Sequence, residues 1–363
     1  MSRANTVVKD LVERSNKLGK DPKNTNFAGG NTSAKGFQTD PVTGEDVELI
    51  WVKGSGGDLG TLTEQNLAVL RLDRTRALKD VYPGVAREDE MVAAFDYCLH
   101  GKGGAAPSID TAMHALVDAD HVDHLHPDSG IAIATSVNGK KLTEKIFGDS
   151  VVWVPWRRPG FQLGLDIAEI KRKNPQAIGC ILGGHGITAW GSTSKQCKKN
   201  SLNIIRQAEA YIREKGEKNP FGTKVAKFKP LPKPKRLSKA AELAPILRGL
   251  ASTDRPMLGH FNDDPRVLEF LESSKLKQLA ELGTSCPDHF LRTKVKPMVL
   301  DLPTEADLEK AKKRLGELHL QYRKDYASYY KKYAKKDTPA MRGADPAIIL
   351  VPGVGMFSFG ANK

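Results

Sequence analysis

The stretch 107–134 constrains this chain most, because it combines apolar runs with four histidines and five aspartates. Its apolar residues predict a buried strand that leads into a helix. His124 and His126 are two residues apart, and in a strand such residues point to the same face, with Cα atoms roughly 6.5–7 Å apart. Two imidazoles at this separation can converge on one metal ion.

A protein metal site needs a third ligand, and the best candidate is His185. It lies in the stretch 181–191, which is apolar but interrupted by glycines. Pairs of histidines at this spacing also occur in protein cores, where hydrogen bonds satisfy them. The spacing alone therefore leaves a metal site and a core role open.

The composition describes a soluble globular protein of 363 residues, with 39% hydrophobic and 27% charged residues, which is long enough for one large or two modest cores. No apolar run approaches the roughly 20 residues that span a bilayer, and the N-terminus lacks the apolar core of a signal peptide. Four scattered cysteines without a C-x-x-C pair fit a reducing compartment. We therefore predict a cytoplasmic protein with no membrane partner.

A net charge of +13 is compatible with nucleic acid, with an anionic small substrate or with a solvated basic surface. The basic excess is concentrated in 218–241, which contains no acidic residue and has prolines at alternate positions. Alternating prolines favour extended chain, and the stretch has few aromatic residues for base stacking. We predict that 221–239 is a basic, proline-rich linker and that the protein binds no nucleic acid.

Mixed helices and strands follow one another without a simple βαβ repeat, which favours a layered α/β fold with a mostly antiparallel sheet. Glycine-rich polar turns are predicted at 26–35 and 53–57, and the second is not a Walker A loop. The predicted helices are 7–18, 88–99, 110–117, 163–173, 195–215 and 310–336. The predicted strands are 47–52, 67–72, 151–154, 178–182 and 347–351.

Five short motifs occur here in the order found in the class II aldolase/adducin family, which the first 220 residues resemble. They are GGNTS at 29–33, KGSG at 53–56, PSIDTAMH at 107–114, HLHP at 124–127 and GGHGITAWG at 183–191. The chain is most similar to the aldolase half of bifunctional rhamnulose-1-phosphate aldolase/alcohol (lactaldehyde) dehydrogenases. Segments 283–294 and 349–360 also resemble those longer proteins. No dinucleotide-binding loop follows, so we expect neither the dehydrogenase nor an NAD site.

The resemblance implies a class II aldolase-like domain at 1–220, with a central mostly antiparallel sheet flanked by helices. After the linker, we expect a smaller C-terminal α/β unit at 240–363 that flanks the first domain. Family members that this chain resembles are cyclic tetramers with active sites at subunit borders, so we expect a homo-oligomer.

The resemblance also implies a zinc site formed by His124, His126 and His185. Asp110 takes the position where the family usually has a glutamate, and it becomes the candidate proton-transferring residue, or alternatively a metal ligand. Ile109 replaces a serine that often follows Ser108 in the family. The residues that match the family's phosphate-binding positions are Asn31, Ser55, Gly56 and Ser108.

The function implied is a zinc-dependent lyase that cleaves a ketose 1-phosphate to dihydroxyacetone phosphate and an aldehyde. The favoured substrate is rhamnulose 1-phosphate, which yields lactaldehyde. A sugar-phosphate epimerase of the same superfamily would use the same metal with different distal acids. A non-catalytic scaffold like the adducin head domains is the other alternative, but those domains lack the metal histidines that this chain keeps.

Overall fold

Two units make up the part of the chain that the computed structural model describes, which comprises residues 3–336 and 338–362. The first unit ends at Gly216 and also includes Ser285–Pro287, whereas the second comprises Glu217–Thr284 and continues from Asp288. The domain boundaries given above, at 220 and 240, stay predictions.

An eight-stranded sheet forms the centre of the first unit. Its strands are β1 Asn31–Thr39, β2 Asp46–Lys53, β3 Leu67–Arg71, β4 Leu99–Gly104, β5 His121–Leu125, β6 Val151–Val154, β7 Gly179–Leu182 and β8 Gly186–Gly191. They lie in the order β4-β3-β2-β1-β5-β8-β7-β6, and all neighbours are antiparallel except β6 and β7. The prediction of a mostly antiparallel central sheet is confirmed.

Helices cover both faces of this sheet. They are α1 Arg3–Gly19, α2 Leu72–Ala77, α3 Glu90–Ala94, α4 Thr111–Leu116, α5 Asp128–Ala134, α6 Gly139–Phe147, α7 Phe161–Lys173 and α8 Ser194–Lys215. Leu49 and Trp51 of β2 pack against Leu11 of α1, whereas the alternate residue Ile50 packs against Ala112 of α4. Since successive strand residues point to opposite faces, α1 and α4 lie on opposite faces of the sheet.

A buried ion pair ties α1 to the middle of the sheet. Nε of Arg14 donates to Oδ1 of Asp123 at 2.9 Å, and the two side chains are 2% and 0% exposed. The guanidinium also donates to the carbonyl oxygen of Ser33 and to Nδ1 of His121, while the hydroxyl of Ser201 donates to the other carboxylate oxygen. Arg14 therefore links α1, β1 and β5, and Asp123 extends this network to α8.

Two local predictions are wrong in their extent. The turn expected over 26–35 ends at Gly30, because Asn31 already pairs with β5 as the first residue of β1. The helix expected over 88–99 is short: α3 gives way to a 3-10 turn at Phe95–Cys98, and Leu99 begins β4. In both places, pairing with a distant strand overrides the local pattern.

The second unit contains a smaller, four-stranded sheet. Its strands, β9 Leu258–Asn262, β10 Met298–Val299, β11 Ile348–Val351 and β12 Gly355–Gly360, lie in the order β10-β11-β12-β9. The remaining helices are α9 Lys233–Leu250, α10 Pro265–Leu271, α11 Leu276–Leu282, α12 Pro287–Thr293 and α13 Leu308–Tyr333. Ile349 packs with α9 and α13, whereas the alternate residue Leu350 packs with α10 and α11.

The extended conformation predicted for 221–239 is wrong from Lys233 onward, where α9 begins. Pro234 lies in the first turn of this helix. Backbone N–H groups there have no intrahelical acceptor, so a proline costs no hydrogen bond.

None of the described helices is both long and apolar enough to cross a membrane.

Replacing Arg14 by methionine should destabilise the first unit by about 3–5 kcal/mol, because it leaves the Asp123 carboxylate buried without its charge partner. The four tryptophans all lie in the first unit, so urea unfolding followed by tryptophan fluorescence reports on that unit. Lys17→Met on the same helix is the control, since the Lys17–Glu13 pair is more than half exposed and its loss should leave the midpoint unchanged. Equal midpoints for the two variants would contradict the assigned importance of the buried pair.

Candidate functional site

Three histidines bring their ring nitrogens together in the first unit. Nε2 of His124 lies 2.9 Å from Nε2 of His126 and 3.2 Å from Nε2 of His185. All three residues are buried. A tetrahedral zinc ion with Zn–N distances of about 2.0–2.1 Å holds its nitrogen ligands about 3.3 Å apart. The spacing and the nitrogen donor set therefore fit a metal ion of this kind.

The local sequence explains why these rings converge. His124 lies in β5, His126 follows the end of that strand, and His185 lies in the turn between β7 and β8, the latter being the neighbour of β5. Gly184 in this turn has φ +65°, which favours glycine. A Cβ on Gly186 would lie 2.8 Å from the ring carbon Cδ2 of His126, so the close approach of that imidazole requires glycine.

The surroundings of His124 leave Nε2 available as a ligand. Its Nδ1 lies 2.9 Å from the carbonyl oxygen of Ile187. A carbonyl oxygen only accepts, so Nδ1 carries the proton and the ring lone pair lies on Nε2, the atom that faces His126 and His185. Burial, together with His124 and His126, holds the pKa of His185 well below its usual value. His185 is therefore neutral, as a metal ligand must be.

Asp110 is linked to the strand that carries His124 through its contact with Asn31. Asn31 pairs directly with His124 across β1 and β5, and its side-chain nitrogen donates to Oδ2 of Asp110 at 2.8 Å. The hydroxyl of Ser108 accepts from the backbone N–H of Asp110 at 3.0 Å. Oδ1 of Asp110 is buried and has no hydrogen-bond partner among the described residues. One carboxylate oxygen is thus held in place and the other is left for a ligand.

His114 completes this group; the sequence alone leaves open whether it shapes the site or only packs. Its Nε2 lies 2.5 Å from Oδ1 of Asn31 and its Nδ1 lies 2.8 Å from the hydroxyl of Ser33. The ring is fully buried. Its spacing of four residues from Asp110 was the available signal, since residues at this spacing share one helix face. The spacing did not identify Asn31 as the group between them.

The remaining predicted residues lie around the glycine-rich turn after β2. Ser55 and Gly56 are exposed on this turn, and the backbone N–H of Ser55 donates to the carbonyl oxygen of Ala106 at 2.9 Å. That contact brings the turn next to the segment that leads to Ser108. Nζ of the buried Lys53 donates to the carbonyl oxygen of Gly56 at 2.9 Å, so a positive charge lies beneath the turn.

Comparison with known protein families identifies both parts of the chain. The model of the class II aldolase and adducin N-terminal domain matches residues 9–212. The chain belongs to the class II aldolase and adducin family. A second model of this family, described as the second domain of class II aldolases, matches residues 238–363.

The chain is also similar to individual proteins. It is 37% identical over 359 residues to the uncharacterized oxidoreductase YuxG of Bacillus subtilis, and the match covers 98% of this chain and 51% of that protein. The chain thus spans about half the length of this relative. The N-terminal class II aldolase domain of a conserved protein from Thermoplasma acidophilum is 28% identical, with a TM-score of 0.52, and the match covers 59% of this chain and 97% of that domain.

We expect the protein to bind about one divalent transition-metal ion per chain. His185→Ala should weaken this binding by more than 100-fold, because replacing a group that only orients a ligand typically weakens metal affinity 10- to 100-fold. Metal analysis after dialysis and competition with a chromogenic chelator measure both quantities. His260→Ala, at an exposed histidine of β9, is the control and should bind metal normally. If His185→Ala keeps the parent affinity, His185 is not a ligand.

Proposed function

We propose that this chain is a zinc-dependent aldolase that cleaves a ketose 1-phosphate, with rhamnulose 1-phosphate as the favoured substrate. The products are then dihydroxyacetone phosphate and lactaldehyde. The observation that carries the proposal is the combination of three converging imidazoles with Asp110, whose buried Oδ1 has no partner among the described residues. Membership of the class II aldolase family supports the reaction class.

His124, His126 and His185 would hold the zinc ion, since three neutral nitrogen ligands leave a coordination position open for substrate. When bound, zinc supplies a Lewis acid that draws electron density from the substrate carbonyl as the C3–C4 bond breaks. The buried imidazoles would keep water away from a bound ion on the protein side.

Asp110 would move the protons. It would take the proton of the C4 hydroxyl as the C3–C4 bond breaks and the aldehyde forms, and it would return a proton to C3 of the three-carbon product. Asn31 donates to Oδ2 throughout, so Oδ1 is the oxygen that exchanges the proton. The hydrogen bond to Oδ2 keeps the carboxylate oriented while Oδ1 acts as the general base.

Gly56 would bind the substrate phosphate through its backbone N–H, and Ser55 and Ser108 would bind it through their hydroxyls, with the charge of Lys53 nearby. A phosphate dianion near a buried ammonium group gains favourable electrostatic energy. Asn31 would donate to the phosphate with the second N–H of its side-chain amide, while the first stays on Oδ2 of Asp110.

Asp110→Asn should lower the rate of cleavage by about 10²–10⁴, the usual contribution of general acid–base catalysis, while zinc stays bound. The assay follows release of dihydroxyacetone phosphate and aldehyde from several ketose 1-phosphates, and Asp110→Glu should keep part of the rate. Asp149→Asn, at an exposed aspartate, is the control. A near-parent rate in Asp110→Asn would place the base elsewhere, and loss of zinc would make Asp110 a ligand.

The same assay separates the alternatives. An epimerase would convert the sugar phosphate without releasing aldehyde, and an adducin-like scaffold would do neither. If the parent protein with its zinc releases no aldehyde from any ketose 1-phosphate, the proposed function is wrong.

The homo-oligomer, expected to be a tetramer, is also part of the proposal. Light scattering coupled to size exclusion at the assay concentration should give a mass about four times that of one chain. A monomer with full activity would contradict this expectation.

A further inference from the structure

We propose that His114 is a positioning residue for Asp110, and that it acts by fixing the orientation of the Asn31 side-chain amide. The proposal rests on the proposed function for the role of Asp110, but the geometry behind it stands independently. Four side chains form one continuous series of hydrogen bonds, in the order Ser33, His114, Asn31 and Asp110.

The carboxylate at one end of this series determines how the amide is oriented. Ionised Asp110 only accepts hydrogen bonds, so the group that faces its Oδ2 must be the NH₂ of Asn31. The amide oxygen of Asn31 must then face His114, which places Nε2 of that ring against an acceptor. Nε2 therefore carries the proton of His114.

The other end of the series agrees with this assignment. With the proton on Nε2, Nδ1 of His114 accepts, and the hydroxyl of Ser33 at 2.8 Å can donate to it. Complete burial, together with His124, Lys35 and Arg14, holds the pKa of His114 well below its usual value, so the ring is neutral. A neutral ring with one donor and one acceptor satisfies both neighbours.

This arrangement matters when Asp110 gains a proton. A protonated carboxyl can donate to an amide oxygen, so an unrestrained Asn31 could turn over and free Oδ2 as a second site for the proton. His114 prevents this, because turning the amide would set its NH₂ against the Nε2–H of the ring. Asn31 therefore keeps donating to Oδ2, and the exchangeable proton stays on Oδ1, the buried oxygen without a partner among the described residues.

A purely structural role for His114 makes a different prediction. If the ring only filled space and satisfied Ser33, its loss would affect stability, zinc content and substrate binding in parallel. A positioning role acts through Asn31 and Asp110, so its loss affects kcat. A misplaced catalytic group costs on the order of 10²-fold in rate, which sets the scale of the effect.

A double-mutant cycle tests the proposal on the zinc-loaded enzyme. His114→Leu should lower kcat roughly 10- to 100-fold, with KM changed by less than about threefold and zinc content unchanged. His114→Gln, whose amide can donate to Asn31, should keep kcat within about fivefold of the parent. In an Asn31→Ala background, His114→Leu should cost little more, because residues that act through one another are not additive. His260→Gln, at an exposed histidine, is the control.

Two results would overturn the proposal. The first is a double variant whose loss in kcat equals the product of the two single losses, since His114 would then act independently of Asn31. The second is a loss in His114→Leu that follows a matching loss of zinc or of folded protein, with His114→Gln equally impaired.

A second measurement does not depend on activity. An NMR spectrum of protein labelled with ¹⁵N-histidine contains signals from the His114 ring, which are identified by their absence from the spectrum of His114→Gln. These signals should show a neutral ring protonated at Nε2. A ring protonated at Nδ1 would overturn the proposal, because its Nε2 could not donate to Asn31. If the parent cleaves no ketose phosphate, the proposed function fails, and this spectrum still decides whether His114 orients Asn31.

Discussion

The buried ion pair between Arg14 and Asp123 helps to fix which face of β5 carries His124, a candidate metal ligand. Side chains alternate along a strand. Because Asp123 faces the side of the sheet where α1 and α8 lie, His124 faces the side where α4 lies. A slip of one residue would exchange the two faces and separate the buried charges, at a cost of several kcal/mol. The orientation of a candidate catalytic group thus depends on a structural interaction one residue away.

The polar groups on the two faces of β5 differ in how completely they are hydrogen-bonded. On the side of α1, both oxygens of Asp123 accept hydrogen bonds and Arg14 donates from all three nitrogens. On the other side, Oδ1 of Asp110 and Nδ1 of His185 are buried without a partner among the described residues. Leaving such an atom unpaired costs about 1–3 kcal/mol, and such atoms also occur away from this site, for example Oδ1 of Asn16 in α1 and the hydroxyl of Thr304. The hydrogen bonds around Asp123 are complete, whereas the candidate site keeps two buried polar atoms that a ligand could satisfy.

Local spacing in the sequence predicts two histidines of this site, and the glycine-interrupted apolar stretch around His185 suggests the third, but the contacts of Arg14 and of His114 are missed. His124 and His126 are recognisable because a two-residue spacing has a direct meaning in a strand. Arg14 and Asp123 are 109 residues apart, and Asn31 and His114 are 83 apart, so only the pairing of β1 with β5 and the packing of α1 and α4 bring them together. Composition also misjudged the start of α9, where a proline is tolerated because of its position in the helix.

The candidate metal site and the ion pair lie on opposite faces of the same strand. A ligand that binds only the folded protein stabilises it, by about 4.1 kcal/mol at a free concentration a thousand times its Kd. The histidines belong to β5, to the residue after it and to the turn before β8, so metal binding favours the same strand pairing that Arg14 favours from the side of α1. Interactions that share one element are expected to be coupled rather than additive. Loss of the ion pair on the opposite face should therefore weaken metal binding, because binding would also have to restore the register of β5, which lowers the net binding free energy.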